Sequence, residues 1–479
     1  MGFNLDKLIK KFIDNITNNE KKNNINKHKK KNLKKYNEHK LHINPNPNPN
    51  PNPNPNLTPN PNPTPNPKPN DNFNHMCYHR ASKIYTPNNN LPIINLIEKQ
   101  SISNKSTVTF TSAGYTPKMI QQSYEIPLLL TKPTKVSNVT IIIAYRYLKL
   151  RNDFNKFSTQ FGLPLCTSSN SANPTPSQIP LKIYNMALTI PADSGKETAN
   201  GNGWDMELCM DTQLAHSINP WATITVIQAK SNSNIDLMSA VTFAIKNLPN
   251  TQVISCSWGS DEYPLSGTEN IKTYGFEPIF TNTSIPFIFS SGDYYSTSYP
   301  ATSPNVIACG GSSLNIKIDS PNTYSRFIET AWTQSGCGYS KIFAQPSYQL
   351  NVPILNGKSR AIPDICCIGD PNLGALVYYS GSYYIVGGTS LSAPVFAGLV
   401  SLANQKRLLS VPAKTILTNK QILTAIYSGT SGLYYDITLG IGGLANINGN
   451  IFNTGTGFDI PSGQGVPNFT KFITLLYDL

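Results

Sequence analysis

The sequence predicts an α/β fold, a mostly parallel central sheet with helices on both faces, preceded by a disordered N-terminal leader. Two observations carry this. From Tyr115 onward, apolar runs of strand length alternate with stretches of helical periodicity, the pattern of a parallel sheet covered on both sides. Before that point the chain is dominated by Lys, Asn and Pro, a composition that cannot bury enough apolar surface to offset the entropy of ordering.

The leader has three parts. Residues 1–43 are basic and Lys/Asn-rich. Leu5, Leu8, Ile9, Phe12, Ile13 and Ile16 fall at helical spacing, so residues 3–17 are a weak candidate for contact with a membrane surface, against the alternative of a frayed tail. Residues 44–70 are a Pro-Asn repeat. Alternate prolines fix φ and remove every second amide donor, which leaves an extended, semi-rigid spacer. Residues 71–114 read as a short connecting segment. Residues 115–479 form the folded domain. Within it, Val139–Ala144, Ala222–Ala229, Gln252–Ser257 and Pro286–Ser290 read as buried strands, and Asp205–Ile218 and Ile235–Leu248 as helices. No apolar run reaches the roughly eighteen residues a membrane helix needs.

Composition excludes several functions. The net charge is +13 over 479 residues, but runs such as Lys29–Lys31 and Lys34-Lys35 put much of it in the leader. No nucleic-acid-reading motif accompanies it, so no nucleic-acid partner is expected. The eight cysteines contain no CxxC pair, which argues against a zinc site. Cys209, Cys256 and Cys309 read as buried free thiols.

One segment suggests catalysis. Gly387-Gly388-Thr389-Ser390-Leu391-Ser392-Ala393-Pro394 precedes an apolar helical stretch, Val395–Ala403. Glycines allow a tight turn, Pro394 suits a first helical turn, and Ser390 then stands at a helix N-terminus. The alternative is an ordinary serine cap. A nucleophilic serine needs a base. Of six histidines, five lie in or beside the leader, and His216 reads as a helix-face residue. That inventory leaves a carboxylate as the base. Glu207 and Asp211 stand four apart in a helical stretch, with no Lys or Arg between Glu197 and Lys230. Such a pair can share one proton, unless it is a solvated acidic face. Asp293 ends Ser290-Ser291-Gly292-Asp293 after a strand. It reads as a turn aspartate or as a neutral carboxyl able to donate to an oxyanion.

Taken together, this set resembles the sedolisin family of serine-carboxyl peptidases, which share the subtilisin fold. Gly-Thr-Ser390 with its following proline resembles the nucleophile motif, Glu207-x-x-x-Asp211 the acid pair, and Ser-Gly-Asp293 the oxyanion aspartate. Tyr115-Thr-Pro117 is similar to the start of the mature enzyme. Gln160–Pro164, Tyr299–Pro304 leading to Gly310-Gly311, Glu329–Trp332 and Arg360–Asp364 follow in the family's order. Two departures stand out. The span 71–114 is too short for the family's folded prodomain, and Arg146 stands where an acid is common.

The resemblance implies a subtilisin-like fold and a serine-type peptidase acting at acidic pH on protein or peptide substrates. It also implies one Ca²⁺ ion held by Asp436, Ile437, Gly455, Gly457 and Asp459. Two carboxylates and three backbone carbonyls make a hard, oxygen-only site. A monomer is expected, in an acidic or extracellular compartment or in a viral particle; no secretory signal is visible. The rival expectation is a non-catalytic structural or binding protein retaining the fold.

Overall fold

The computed structural model describes residues 80–85, 109–110, 114–186, 203–262, 276–443 and 451–479. The basic leader, its 3–17 stretch and the Pro-Asn spacer lie outside the described residues.

The central sheet has nine strands. Its main path runs Thr323–Ala331, Ile307–Ser320, Phe287–Ser290, Ile254–Cys256, Asn138–Ala144, Thr223–Ala229, Leu181–Asn185. From Ile307–Ser320 to Leu181–Asn185 every neighbour pair on this path is parallel. Ile365–Ile368 joins Ile307–Ser320 in parallel, and Thr323–Ala331 pairs with it antiparallel. All seven residues of Asn138–Ala144 are buried, as are all seven of Thr223–Ala229. Successive strand side chains point to opposite faces, so complete burial means that both faces are covered. This is the architecture expected from the sequence.

Helices supply the cover. Asn234–Asn247 packs on Asn138–Ala144 and Thr223–Ala229, and Trp204–Ile218 packs on the long helix Thr389–Leu409. In Trp204–Ile218 every residue except Met206 is buried, including Asp205, Glu207, Asp211 and His216. Such a helix is buried on all sides, although it carries three acids.

Two local expectations are corrected. The segment 71–114 is more than a connection. Arg80–Tyr85 pairs antiparallel with Ser382–Gly387, which pairs with Ala375–Tyr379, and Thr109–Phe110 pairs with Ile307–Ser320. Pro394 does not stand in a first helical turn. The helix begins at Thr389, so Pro394 lies inside it. The start is set upstream, by Gly388 at φ +117°, a conformation that favours glycine. Among the described residues, no helix is long and apolar enough to cross a membrane.

Candidate active site

The strand Phe287–Ser290 runs into Gly292 and Asp293, and the strand Ser382–Gly387 runs into the helix that carries Ser390. Phe287–Ser290 thus delivers Asp293 at the carboxyl end of a parallel strand, where such sheets gather ligand chemistry, and Ser382–Gly387 brings Ser390 to it from the antiparallel sheet alongside. The join is close. Asp293 Oδ1 accepts from the Thr389 amide at 2.7 Å and from the Thr389 hydroxyl at 2.8 Å. The same hydroxyl accepts from the Gly292 amide at 3.0 Å. A Cβ on Gly388 would lie 2.6 Å from Asp293 Oδ2. Only glycine permits that approach, so the glycine before Thr389 serves packing as well as the turn.

Ser390 sits in the first turn of its helix, where backbone amides have no helical acceptor and the dipole favours negative charge. It lines a slot together with Ser257, Trp258, Gly259, Ser290, Gly292 and Asp293. Gly259 and Gly292 both face Ser298. A Cβ on either would lie 3.3 Å from Ser298 Oγ, so the glycines keep the slot open. Trp258 is fixed by its indole N–H, which donates to the Ile142 carbonyl at 3.0 Å.

The acid helix reaches this slot from below. Ser257 Oγ donates to Asp211 Oδ1 at 2.8 Å and lies 3.2 Å from the Ser390 carbonyl oxygen, while Ser390 Oγ lies 3.5 Å from the Ser257 carbonyl oxygen. Glu207 and Asp211 are 3% and 0% exposed, so they do not form a solvated acidic face. Burial pushes the Asp211 carboxyl well above its usual range, and the neighbouring Glu207 charge adds to this; the Ser257 hydrogen bond opposes both. A buried carboxyl in this position holds a proton.

His216 shares that helix but faces elsewhere. Its Nε2 lies 2.9 Å from the Pro164 carbonyl oxygen, its ring packs against Phe154 at 4.6 Å, and Nδ1 is buried without a partner. Burial lowers its pKa to about 3. It is a buried helix residue with no bond to Ser390.

The C-terminal residues come together as well. Asp436 Oδ2 accepts from the Gly457 amide at 3.0 Å, and Asp459 Oδ2 from the Gly455 amide at 2.9 Å. Asp459 Oδ1 also accepts from the Ser462 amide and hydroxyl. Ile437 is buried, and Gly455 and Gly457 are exposed. Neither carboxylate is in an ion pair among the described residues. Burial pushes Asp459 up to about 6, against the pull of its donors, and Asp436 adds to the rise. Two carboxylates without an ion-pair partner among the described residues, one following Tyr434-Tyr435 and one on the glycine-rich turn 455–459, suit a hard cation. No cluster of three or more His, Cys, Asp or Glu side chains occurs among the described residues, so any further ligands would be backbone oxygens.

The sequence on its own assigns no site role to Ser257 or Thr389. Ser257 ends the run Gln252–Ser257 read as a strand, and nothing in that run announces a bond to Asp211. Thr389 lay inside the nucleophile motif, yet its partner is 96 residues away.

Comparison with known proteins agrees with the fold. Residues 195–430 match the model of the subtilase family. The chain is 30% identical to kumamolisin of Bacillus sp. (strain MN-32) over 305 residues, covering 59% of this chain and 52% of kumamolisin. It is 35% identical to sedolisin of Pseudomonas sp. (strain 101) over 193 residues, 38% of this chain and 31% of that protein. It is 29% identical to tripeptidyl-peptidase 1 of Canis lupus familiaris over 261 residues, 48% and 43% respectively. The chain thus spans about half or less of the length of these curated relatives. The solved structure of Pseudomonas sedolisin, complexed with two molecules of pseudo-iodotyrostatin, superposes with a TM-score of 0.59 at 23% identity. That match covers 77% of this chain and 99% of the other, and it shows a shared fold. The class that the fold and the family model point to is the subtilases. Within it, the relatives matched place the chain's similarity with the sedolisin family.

Proposed function

We propose that this protein is a serine-carboxyl peptidase that hydrolyses peptide bonds in protein or peptide substrates at acidic pH. The observation that carries the reading is the continuous contact from Ser390 through Ser257 to Asp211, which stands one turn beyond Glu207 on a buried helix. In the proposed mechanism Glu207 takes the Ser390 hydroxyl proton as Oγ attacks the peptide carbonyl carbon. The tetrahedral oxyanion is met by the Ser390 amide and by a protonated Asp293, which the Thr389 amide and hydroxyl hold in place. Glu207 returns the proton to the leaving amine, and an acyl-enzyme forms. Water, activated by the same carboxylate, releases the acid. Asp211 orients Glu207 and holds the shared proton.

We include one Ca²⁺ ion in this reading, held by Asp436 and Asp459 with backbone oxygens of Ile437, Gly455 and Gly457. When bound, it would neutralise the two carboxylates and stiffen the C-terminal turn; it takes no part in bond breaking. An acidic or extracellular compartment fits this chemistry. The test is digestion of an unfolded protein at acid pH, read by mass spectrometry, with wild type and Ser390→Ala compared. Products from wild type alone support the reading. No products from the wild type at any pH, or equal products from both, would end it.

A further inference from the structure

Ser257 carries one hydroxyl proton, and two buried acceptors compete for it. Asp211 Oδ1 lies 2.8 Å away and the Ser390 carbonyl oxygen 3.2 Å away. The second acceptor exists because of Pro394. In an α-helix the carbonyl of residue i takes its hydrogen bond from the amide of residue i+4. Pro394 stands four residues after Ser390, inside the helix, and has no amide proton. The Ser390 carbonyl therefore lacks its helical donor, and the Ser257 hydroxyl is the group that reaches it.

We propose that Ser257 is the positioning residue of the acid pair. Its hydroxyl donates to Asp211 Oδ1 when that carboxyl is ionised. When Asp211 is protonated, the hydroxyl turns to the Ser390 carbonyl and accepts a hydrogen bond from Asp211. Between the two states Asp211 gains or loses its proton, and the Ser257 hydroxyl answers by rotating. Asp211 Oδ1 thus keeps its hydrogen bond to Ser257 whether the carboxyl is ionised or protonated, with no heavy-atom movement. Pro394 is part of the device because it keeps the second acceptor vacant.

This rests on the peptidase reading for its consequence in catalysis. The titratable groups facing Asp211 are Glu207 on its own helix and Cys256 at the end of the adjoining strand. The Ser390 helix carries no charged residue before Lys406, and the strand Asn138–Ala144 carries none. On the neighbouring elements, Asp153 bonds Tyr147 and the Ser380 amide, Tyr379 bonds Asp205, and Lys118 is exposed.

The test compares wild type, Ser257→Ala, Ser257→Cys and Pro394→Ala by kcat/KM against pH with a fluorogenic peptide. Ser257→Ala removes the donor to ionised Asp211, so the acid limb should move to higher pH by about one unit, roughly tenfold in rate at a fixed acid pH. Ser257→Cys, a weaker donor, should fall between. Pro394→Ala restores the helical amide, leaves the Ser257 proton to Asp211, and should move the limb the opposite way by a smaller amount. Infrared titration of the carboxyl band lost in Asp211→Asn reads the same shifts without turnover. A wild type that fails to cleave peptides but shows these band shifts would end the peptidase reading and keep this one. Rates lowered uniformly, with limb and band unmoved, would overturn it. If Ser257→Ala does not fold, an unmoved limb in Pro394→Ala is sufficient to overturn it.

Discussion

Two buried residues of the acid helix, one at its middle and one near its C-terminal end, make an instructive pair. Asp211 and His216 are five residues apart, both fully buried, and burial drives both to their neutral forms. For an acid that means holding a proton; for a base it means giving one up. Their surroundings then separate them. Asp211 meets Ser257 and, through it, the backbone of Ser390. His216 meets an aromatic ring and a carbonyl. A perturbed ionisation marks both residues equally, and contact with the candidate nucleophile marks only one. The experiments below break or sharpen that distinction.

The largest effect falls on the group that both residues would serve. Ser390→Ala should remove peptidase activity, with kcat lower by on the order of 10⁴ or more, while circular dichroism and melting stay close to wild type. Normal turnover by the folded variant would leave Asp211 without a reaction to support.

Next are the acids themselves. Glu207→Gln and Asp211→Asn should each lower kcat by about 10²–10⁴, a range typical of general-base loss, and the double variant should be little worse than the poorer single one. Groups that act as a unit lose most of their effect with the first change. Losses that multiply in the double variant would mean two independent acids. The pH profile of the wild type sharpens the same point. Raised proton affinity at Asp211 places the shared proton on the pair in acid. Activity should therefore peak in acid, at roughly pH 3–5 where ordinary carboxyl groups are partly protonated, and fall at higher pH as the pair gives up its shared proton. A maximum at neutral or alkaline pH would contradict the carboxyl assignment.

A smaller effect is expected from the C-terminal turn, which touches neither residue. Chelation should lower the melting temperature by a few degrees, since a ligand held only by the native state stabilises it. Asp459→Asn should melt lower than wild type in calcium and respond less to chelator. Elemental analysis without calcium, together with an unchanged melting curve in chelator, would remove the ion from the account.

How far the sequence anticipated these contrasts depended on the range of the interactions. The strand Asn138–Ala144 was legible because its apolar run is continuous, and the acid helix because two acids stand one turn apart among apolar residues. These are local patterns. The position of Pro394 was misread because the rule for prolines in first turns is local too, whereas the helix start follows from the Gly388 backbone and from Asp293 bonding Thr389 across 96 residues. Ser257 finds Asp211 at a separation of 46 and Ser390 at 133; no spacing rule spans such distances. The strands within 71–114 were missed for a related reason, since short edge strands are defined by the partner they join.

The smallest effect on catalysis should come from His216, and it is the most discriminating. His216→Phe should leave kcat/KM at the optimum within a few-fold of wild type, because the ring contacts Phe154 and the Pro164 carbonyl and not Ser390. Its effect belongs in stability against pH. The folded-state pKa of about 3 lies below the 6.5 of the unfolded chain. Between those values the unfolded chain binds the proton and the folded protein does not, so stability falls as pH falls below about 6.5 and stops falling near 3. At about pH 4 the cost from this one group is on the order of 3 kcal/mol, a burden if the protein works in acid as proposed. The variant removes that titration together with one hydrogen bond. It should melt lower than wild type at neutral pH, yet lose less of its melting temperature between about pH 7 and pH 4. The measurement is a pair of melting curves at each pH, with activity assayed on the same samples. If the variant keeps its fold but loses activity in the manner of Ser390→Ala, the histidine is the catalytic residue of the two and the assignment of Asp211 fails. If both proteins lose stability equally on acidification, His216 binds its proton as readily in the folded protein as in the unfolded chain, and the symmetry between the two buried groups no longer holds.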